Sequence, residues 1–302
     1  MKSLAFALIV LANIIGGSTY LAQKLALEGL PPATVTLLRN VIAMACMALF
    51  AARSGGLRLR FPAADQRRLA LLGIVAYALP LWLGIIGLRW STSGNGSLLI
   101  LLEPPAILFF SRLLLGDRLR VVQALGIAAG LAGALCIVLE QAPLGDLLAA
   151  DHLRGNLVLA AHGVMWGLYS PLMQPLARRW RALDITFMSM VWACAVLLPA
   201  ALLESGDWHA GPTLLPALQW TLALGVVASF GGTVMWNVAL GRLSASSIAP
   251  FVFLQPLAGV IAGHLVLDET LTRDALFGGL LIGAGVLLVI WPLRRSELVK
   301  PA

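Results

Sequence analysis

Long apolar segments dominate this chain and limit what it can fold into. A helix that crosses a bilayer needs roughly 20 mostly apolar residues, and the sequence contains ten segments of that kind. They are 4–22, 33–52, 69–88, 92–114, 121–139, 155–174, 185–203, 218–239, 244–267 and 275–292. Because little of the chain lies outside them, the sequence predicts an all-α integral membrane protein with ten transmembrane helices and no soluble domain.

The charged residues agree with a membrane location. Only 12% of the residues are charged, whereas soluble domains carry about 25%. Of the 21 Lys and Arg residues, sixteen fall on the side that holds both predicted termini, four fall on the other side, and Arg39 lies within a span. This bias predicts cytoplasmic termini in an inner (plasma) membrane. Since topology explains the net charge of +7, we expect a lipid bilayer as the surroundings and no nucleic-acid partner.

The two halves of the chain repeat one pattern. A shift of 152 residues aligns Gly73 with Gly225 and Pro104 with Pro256. Further aligned pairs are Leu88 and Leu240, Asp117 and Glu269, Gly126 and Gly278, and Gly133 and Gly285. Spans one to five thus recur as spans six to ten, and because five is odd, the second copy must cross in the opposite sense. We predict two inverted five-helix repeats, 1–140 and 153–293, and a cytoplasmic tail, 294–302; this architecture is typical of secondary transporters.

Several motifs resemble a known family. The fourth span has a mid-span proline, the acidic turn LLLGDRL (113–119) is echoed by LVLDETL (265–271), and GNLVLAAHGVMWGLYSPLMQ (155–174) contains a Trp-Gly pair. In these features each half resembles the EamA repeat of the drug/metabolite transporter superfamily, over nearly the whole chain. The resemblance implies a bacterial ten-helix exporter of amino acids or other small metabolites. One departure is Ile15, where the family often has tryptophan.

Glu103 is a carboxylate in the middle of the fourth span, followed by Pro104 and Pro105. A charge at this depth costs roughly 2.5–3.5 kcal/mol and usually faces a bundle interior. Proline interrupts a helix, which is tolerated where the backbone lines a cavity. Its repeat equivalent is Gln255, beside Pro256. We predict Glu103 and Gln255 as substrate contacts, with Glu103 as the proton carrier if transport is proton-coupled; the alternative is a carboxyl that only holds helices together.

Arg39 is the second charge within a span, early in span two. Its guanidinium could pair bidentately with a substrate carboxylate or with Glu103. Alternatively, its long side chain could extend to the outer interface of the membrane. The sequence leaves these roles open.

Three spans carry polar and aromatic residues at helical spacing, so that those of each span share one face. A cavity wall of this composition suits amphipathic ligands, although helix packing is the simpler explanation for any single position. The residues are Asn13, Gly16 or Gly17, and Tyr20 in span one, His162, Trp166, Tyr169 and Met173 in span six, and Ser229, Thr233 and Trp236 in span eight, with Tyr77 as the repeat equivalent of Ser229.

Motifs for enzymatic chemistry are missing from the sequence, which has no HExxH, no GxSxG, no glycine-rich phosphate loop and no cysteine pair at ligand spacing. We therefore expect no enzyme activity, no cofactor and no metal. The preferred hypothesis is a transporter that binds a small-molecule substrate in a midplane cavity lined by spans one, three, four, six, eight and nine. Two alternatives are an intramembrane enzyme with Glu103 and His162 as acid and base on a lipid-linked substrate, and a scaffold without a cavity.

Small residues form one face of segments 126–133 and 278–285. Such faces allow two helices to approach closely. They could pack against each other within the bundle or join two copies of the chain in a homodimer.

Overall fold

The computed structural model describes residues 2–117, 120–141, 145, 148–208, 211–258, 261 and 272–298. Within these residues, all regular secondary structure is helical. The helices are α1 (Lys2–Ala26), α2 (Pro32–Ala52), α3 (Ala63–Arg89), α4 (Gly94–Leu115), α5 (Val121–Gln141), α6 (Ala150–Ala177), α7 (Ala182–Leu203), α8 (Leu214–Leu240), α9 (Ala245–Ala258) and α10 (Arg273–Leu298), with a 3₁₀ turn at Ser205–Asp207. Each helix overlaps one predicted span. The end of the predicted ninth span, Glu269 and the last residues of the tail lie outside the described residues.

Seven of the described helices, α1 to α5, α7 and α8, are long and apolar enough to cross a membrane. Helix α6 is also long, but it carries buried polar residues such as Asn156 and His162. Large apolar side chains face outward instead, with Leu203 88% exposed and Leu280 74% exposed. This inside-out pattern is expected where lipid replaces water around the protein. The chain is therefore a multi-pass membrane protein.

Helices from the two halves of the chain interleave. Helix α1 packs along α8, and α3 packs along α6. Helix α2 packs on α7 and α8, while α7 also packs on α3. The most extensive helix pair is α5 with α10. The contact between α1 and α8 is thus the repeat equivalent of that between α3 and α6, and the contact between α2 and α8 is the equivalent of that between α3 and α7.

Glycines allow α5 and α10 to approach closely. A Cβ atom on Gly126 would lie 2.8 Å from the carbonyl oxygen of Gly285, and one on Gly133 would collide with the carbonyl of Gly278. Because the lower-numbered glycine of α5 meets the higher-numbered glycine of α10, the two helices run antiparallel. The small-residue faces are therefore used for packing within the bundle, one of the two predicted uses.

Four helices depart from regular α geometry near the middle of the bundle. Helices α3 and α8 contain π-helical segments, Leu72–Ala78 and Leu224–Gly232. Helices α4 and α9 contain 3₁₀ segments, Ile100–Leu102 and Ala249–Phe253. The second pair of segments ends just before Glu103 and just before Gln255 and Pro256, as the proline pattern predicts. Such irregular segments redirect side chains and are frequent at functional sites.

Candidate functional site

A cavity of about 150 Å³ lies between helices of both halves. This is roughly tenfold the 10–15 Å³ that a single water molecule needs, so the cavity has room for several waters or for a small organic molecule. Among the described residues, helices α1, α3, α4, α6, α8 and α9 line it, together with α2 through Arg39. The lining includes ten candidate residues named from the sequence: Asn13, Tyr20, Arg39, Tyr77, Glu103, His162, Trp166, Tyr169, Trp236 and Gln255.

Glu103 is the first residue of Glu103–Leu115, the α-helical segment of α4 that follows the 3₁₀ segment. Its N–H donates to the carbonyl of Ile100 in a 3₁₀ bond, and the α-helix then restarts with Pro104, which is buried, and Pro105, which is exposed. Proline is tolerated in the first turn of a helix because that N–H has no intrahelical partner. The Glu103 side chain is 6% exposed, and among the described residues none forms a hydrogen bond or ion pair with its carboxyl.

Arg39 is buried between α2 and α8. It is 4% exposed, and its Nε donates to Ser229 Oγ at 2.9 Å. Its Nη1 has no hydrogen-bond partner among the described atoms. Within the described side chains, no nitrogen of Arg39 lies within 4.0 Å of a Glu103 oxygen. Of the roles that the sequence left open, the structure therefore excludes pairing with Glu103 and extension to the outer interface, because the guanidinium is buried in the bundle.

Three aromatic rings from α3 and α6 form one side of the cavity, here called the aromatic wall: Tyr77, Trp166 and Tyr169. The ring centroids are 5.8 Å apart for Tyr77 and Trp166, 5.9 Å for Tyr77 and Tyr169, and 5.7 Å for Trp166 and Tyr169. Edge-to-face and tilted pairs at these separations attract each other. The wall therefore presents apolar ring surface to the cavity between its polar groups.

Polar residues behind the aromatic wall hold its hydroxyl groups. The Tyr77 hydroxyl donates to Asn40 Oδ1 at 3.2 Å. Asn237 Nδ2 donates to the Tyr169 hydroxyl at 2.8 Å and to Thr186 Oγ1 at 2.7 Å. Buried hydroxyl and amide groups of this kind are costly unless they are hydrogen-bonded. These bonds therefore fix the orientation of both rings.

The remaining polar contacts come from α1, α8 and α9. Trp236 Nε1 donates to Ser170 Oγ at 3.1 Å. Gln255 Nε2 donates to Asn13 Oδ1 at 3.2 Å. The close approach of α9 to α1 at this point requires Gly17, because a Cβ atom there would collide with the carbonyl of Gln255.

His162 packs its ring against Gly84, where an added Cβ would lie 2.5 Å from ring atoms. Its Nδ1 is 2.7 Å from the carbonyl oxygen of Pro80. A carbonyl only accepts, so Nδ1 carries a proton. Nε2 has no partner among the described atoms. Although His162 and Glu103 line the same cavity, no hydrogen bond joins them in the described part of the chain, so they lack the direct contact expected of an acid–base pair.

Several residues of the site were not predicted from the sequence. Gln23 lines the cavity one turn beyond Tyr20 on the same face of α1, so helical periodicity could have identified it. Asn237 fixes Tyr169, but the two residues lie on separate helices and no local pattern links them. Met173, which shares the predicted face of α6, is fully buried in the core and is not among the lining residues.

The sequence matches one known family twice. The EamA-like transporter family aligns with residues 3–139 and again with residues 153–291. Together the two matches cover most of the chain.

Individual proteins are similar to the chain over nearly its full length. A probable terminal-alkyne amino-acid exporter of Streptantibioticus cattleyicolor is 30% identical over 289 residues, covering 93% of this chain and 91% of that protein. A probable amino-acid metabolite efflux pump of Escherichia coli is 23% identical over 298 residues, covering 97% of each chain. A solved crystal structure superposes with a TM-score of 0.80 at 21% identity, covering 98% of this chain and 100% of that one. This last likeness establishes the fold alone.

Proposed function

Because the chain belongs to the EamA-like transporter family and is therefore a membrane transporter rather than an enzyme, we propose that it exports amino acids or related small metabolites. The observation that carries this proposal is the cavity between the two halves, which holds a buried carboxyl group and a buried guanidinium. Charged residues buried at membrane depth usually mark a transport pathway. The names of the two relatives given above support the substrate class and the direction.

Transport by alternating access follows from the arrangement of the helices. We propose that residues 1–140 and 153–293 are two five-helix repeats of inverted topology, followed by the tail 294–302. The antiparallel packing of α5 against α10 supports the inversion, because these are the last helices of the two repeats. The exchanged contacts between halves support it as well. In transporters of this type one repeat rocks against the other around a site at the repeat interface.

The ten residues predicted from the sequence are proposed as the substrate-binding set. Glu103 and Arg39 supply charge, Gln255 and Asn13 supply hydrogen bonds, and the aromatic wall supplies apolar contact. Pro104, Pro105 and Pro256 are proposed to break α4 and α9 so that the polar group before each proline faces the cavity. Pockets with apolar walls and a few convergent polar groups are the usual form of small-molecule sites.

Family membership removes one alternative, the intramembrane enzyme. The other alternative, a scaffold without a central cavity, is contradicted by the cavity itself.

The orientation in the membrane is also a proposal. We propose a location in a bacterial inner membrane, with the arginine-rich loops after α2 and after α6 in the cytoplasm together with both termini. The excess of Lys and Arg on that side supports this orientation.

The experiment that tests the function is efflux from cells. Cells that express the chain and an empty-vector control are loaded with dipeptides that release amino acids inside, and the amino acids that appear in the medium are measured. We expect at least one amino acid to leave the expressing cells faster than the control cells. Equal release of every compound from both strains would contradict export.

A further inference from the structure

We propose that the cavity selects molecules carrying a cationic and an anionic group together, with Arg39 binding the anionic end and Glu103 the cationic end. The inference rests on the proposed export function, because it concerns the substrate of the same cavity. It adds a specificity rule: amines and carboxylic acids with the same side chain are rejected.

Both ionisable groups are buried and are not paired with each other. Arg39 is 4% exposed and Glu103 is 6% exposed. Their charged atoms are more than 4.0 Å apart, and no ion pair in the described part of the chain involves either residue. Charges at membrane depth are rarely left without a partner. Each group therefore needs a complement that the neighbouring protein does not supply.

Arg39 has more hydrogen-bond donors than its described neighbours accept from. A guanidinium has five N–H donors in a planar fork that suits a carboxylate. Its described hydrogen bond is the one from Nε to Ser229 Oγ, and Nη1 is buried without a partner. The bond to Ser229 holds the guanidinium in place, and no described residue accepts from its other donors.

Arg39 and Glu103 line the same cavity as the three rings of the aromatic wall. The Tyr77 hydroxyl donates to Asn40, the residue after Arg39 in α2. Trp166 contacts the ring of Tyr77 and also packs against the apolar cluster that contains Tyr20 and Ile100. Ile100 precedes Glu103 by one turn of α4.

A molecule held between Arg39 and Glu103 would lie with its apolar part against the aromatic wall. Its carboxylate would meet Arg39 and its ammonium group would meet Glu103. A molecule with only one charge would leave the other protein group buried and unpaired, which is strongly unfavourable. This difference is the source of the proposed discrimination.

The experiment measures uptake by proteoliposomes that contain the purified chain. The probes are L-phenylalanine, L-leucine and the other common amino acids, together with the matched amines phenethylamine and 3-methylbutylamine and the matched acids 3-phenylpropionate and 4-methylpentanoate. We expect the wild type to transport at least one amino acid about tenfold better than its matched amine and acid, a difference of about 1.4 kcal/mol.

Two substitutions test which residue binds the carboxylate of the substrate and which binds its ammonium group. Arg39→Gln should reduce the preference for the amino acid over the amine about tenfold, and Glu103→Gln should do the same for the preference over the acid. The matched controls are Arg60→Gln and Glu28→Gln, which change exposed residues of the same type and should leave both ratios unchanged. If Arg39→Gln fails to fold, Arg39→Lys, which keeps the charge, should retain the preference over the amine.

The outcomes separate the two proposals. Transport of amines or acids as fast as the matched amino acids would overturn the specificity rule and leave export intact. Unchanged ratios in Arg39→Gln and Glu103→Gln, or loss of the preference in Arg39→Lys, would show that these residues are structural and would also overturn it. Transport of none of the probes would overturn the export function itself.

Discussion

The carbonyl oxygen of Gly285 faces Gly126 so closely that a Cβ atom at residue 126 would lie 2.8 Å from it. The reciprocal contact is tighter, since a Cβ atom on Gly285 would lie 2.5 Å from the carbonyl oxygen of Gly126. The crossing of α5 and α10 therefore depends on the lack of side chains at both residues.

This contact leads to a prediction about stability. Gly285→Ala should destabilise the folded protein by about 1–3 kcal/mol, because overpacking forces the two backbones apart. Gly283→Ala is a matched control on the same helix, where nothing lies within 4 Å of the added methyl group. Thermal unfolding in detergent measures both variants. Equal melting temperatures for Gly285→Ala and the wild type would contradict the close crossing.

The proposed orientation predicts from which side of the membrane a thiol reagent can reach each of two introduced single cysteines. Ser54 follows α2 and Ser205 follows α7, and both are exposed. In a background with Cys46, Cys136 and Cys194 replaced by alanine, a thiol reagent that does not cross membranes should label Ser205→Cys in intact spheroplasts. It should label Ser54→Cys only after the membrane is opened. Labelling of Ser54→Cys in intact spheroplasts, with Ser205→Cys protected, would mean that the orientation is the reverse.

Much of the candidate site could be predicted because polar and charged residues are easy to recognise within apolar membrane spans. A buried charge such as Glu103 stands out in an apolar span, and helical spacing places His162, Trp166 and Tyr169 on one face. Both signals are local, so one sequence is enough to read them. The same reasoning found the helix interruptions, since Pro104 and Pro256 cannot donate a backbone hydrogen bond.

Other parts of the site depend on how helices pack and could not be read from the sequence. Arg39 donates to Ser229 rather than pairing with Glu103 because α2 lies against α8, and hydropathy does not specify that neighbour. The π-helical segment Leu72–Ala78 changes the direction in which Tyr77 leaves the axis of α3. A regular period of 3.6 residues does not anticipate this change.

The bond between Arg39 and Ser229 predicts a kinetic effect. Ser229→Ala should raise the KM for the transported substrate about tenfold, because a hydrogen bond to a charged group contributes about 1.5–3 kcal/mol. The maximal rate should change little, since the guanidinium remains. Thr221→Ala is the control, because Thr221 lies on the same helix but donates to Ala217 of its own helix. A KM for Ser229→Ala that matches that of the control would contradict the positioning role of Ser229.

The last prediction concerns proton coupling through Glu103, the one carboxyl among the described residues that line the cavity. A group that couples transport to protons must be accessible and must be able to gain and lose a proton during the cycle. Glu103 lines the cavity without a described partner for its carboxyl, so neither ionisation state is fixed by a neighbouring residue. Its repeat equivalent is Gln255, which cannot ionise.

We therefore expect Glu103→Gln to insert and fold as the wild type does and to lose the response of transport to a pH gradient. Uptake into proteoliposomes is measured with and without an imposed gradient for the wild type, Glu103→Gln and the exposed control Glu28→Gln. A carboxyl that serves only as a substrate contact would give weaker binding in Glu103→Gln with the gradient response intact, and a purely structural carboxyl would leave transport unchanged. A wild type indifferent to the gradient would argue for facilitated diffusion. Gradient-driven transport that persists in Glu103→Gln would place the coupling group elsewhere in the protein.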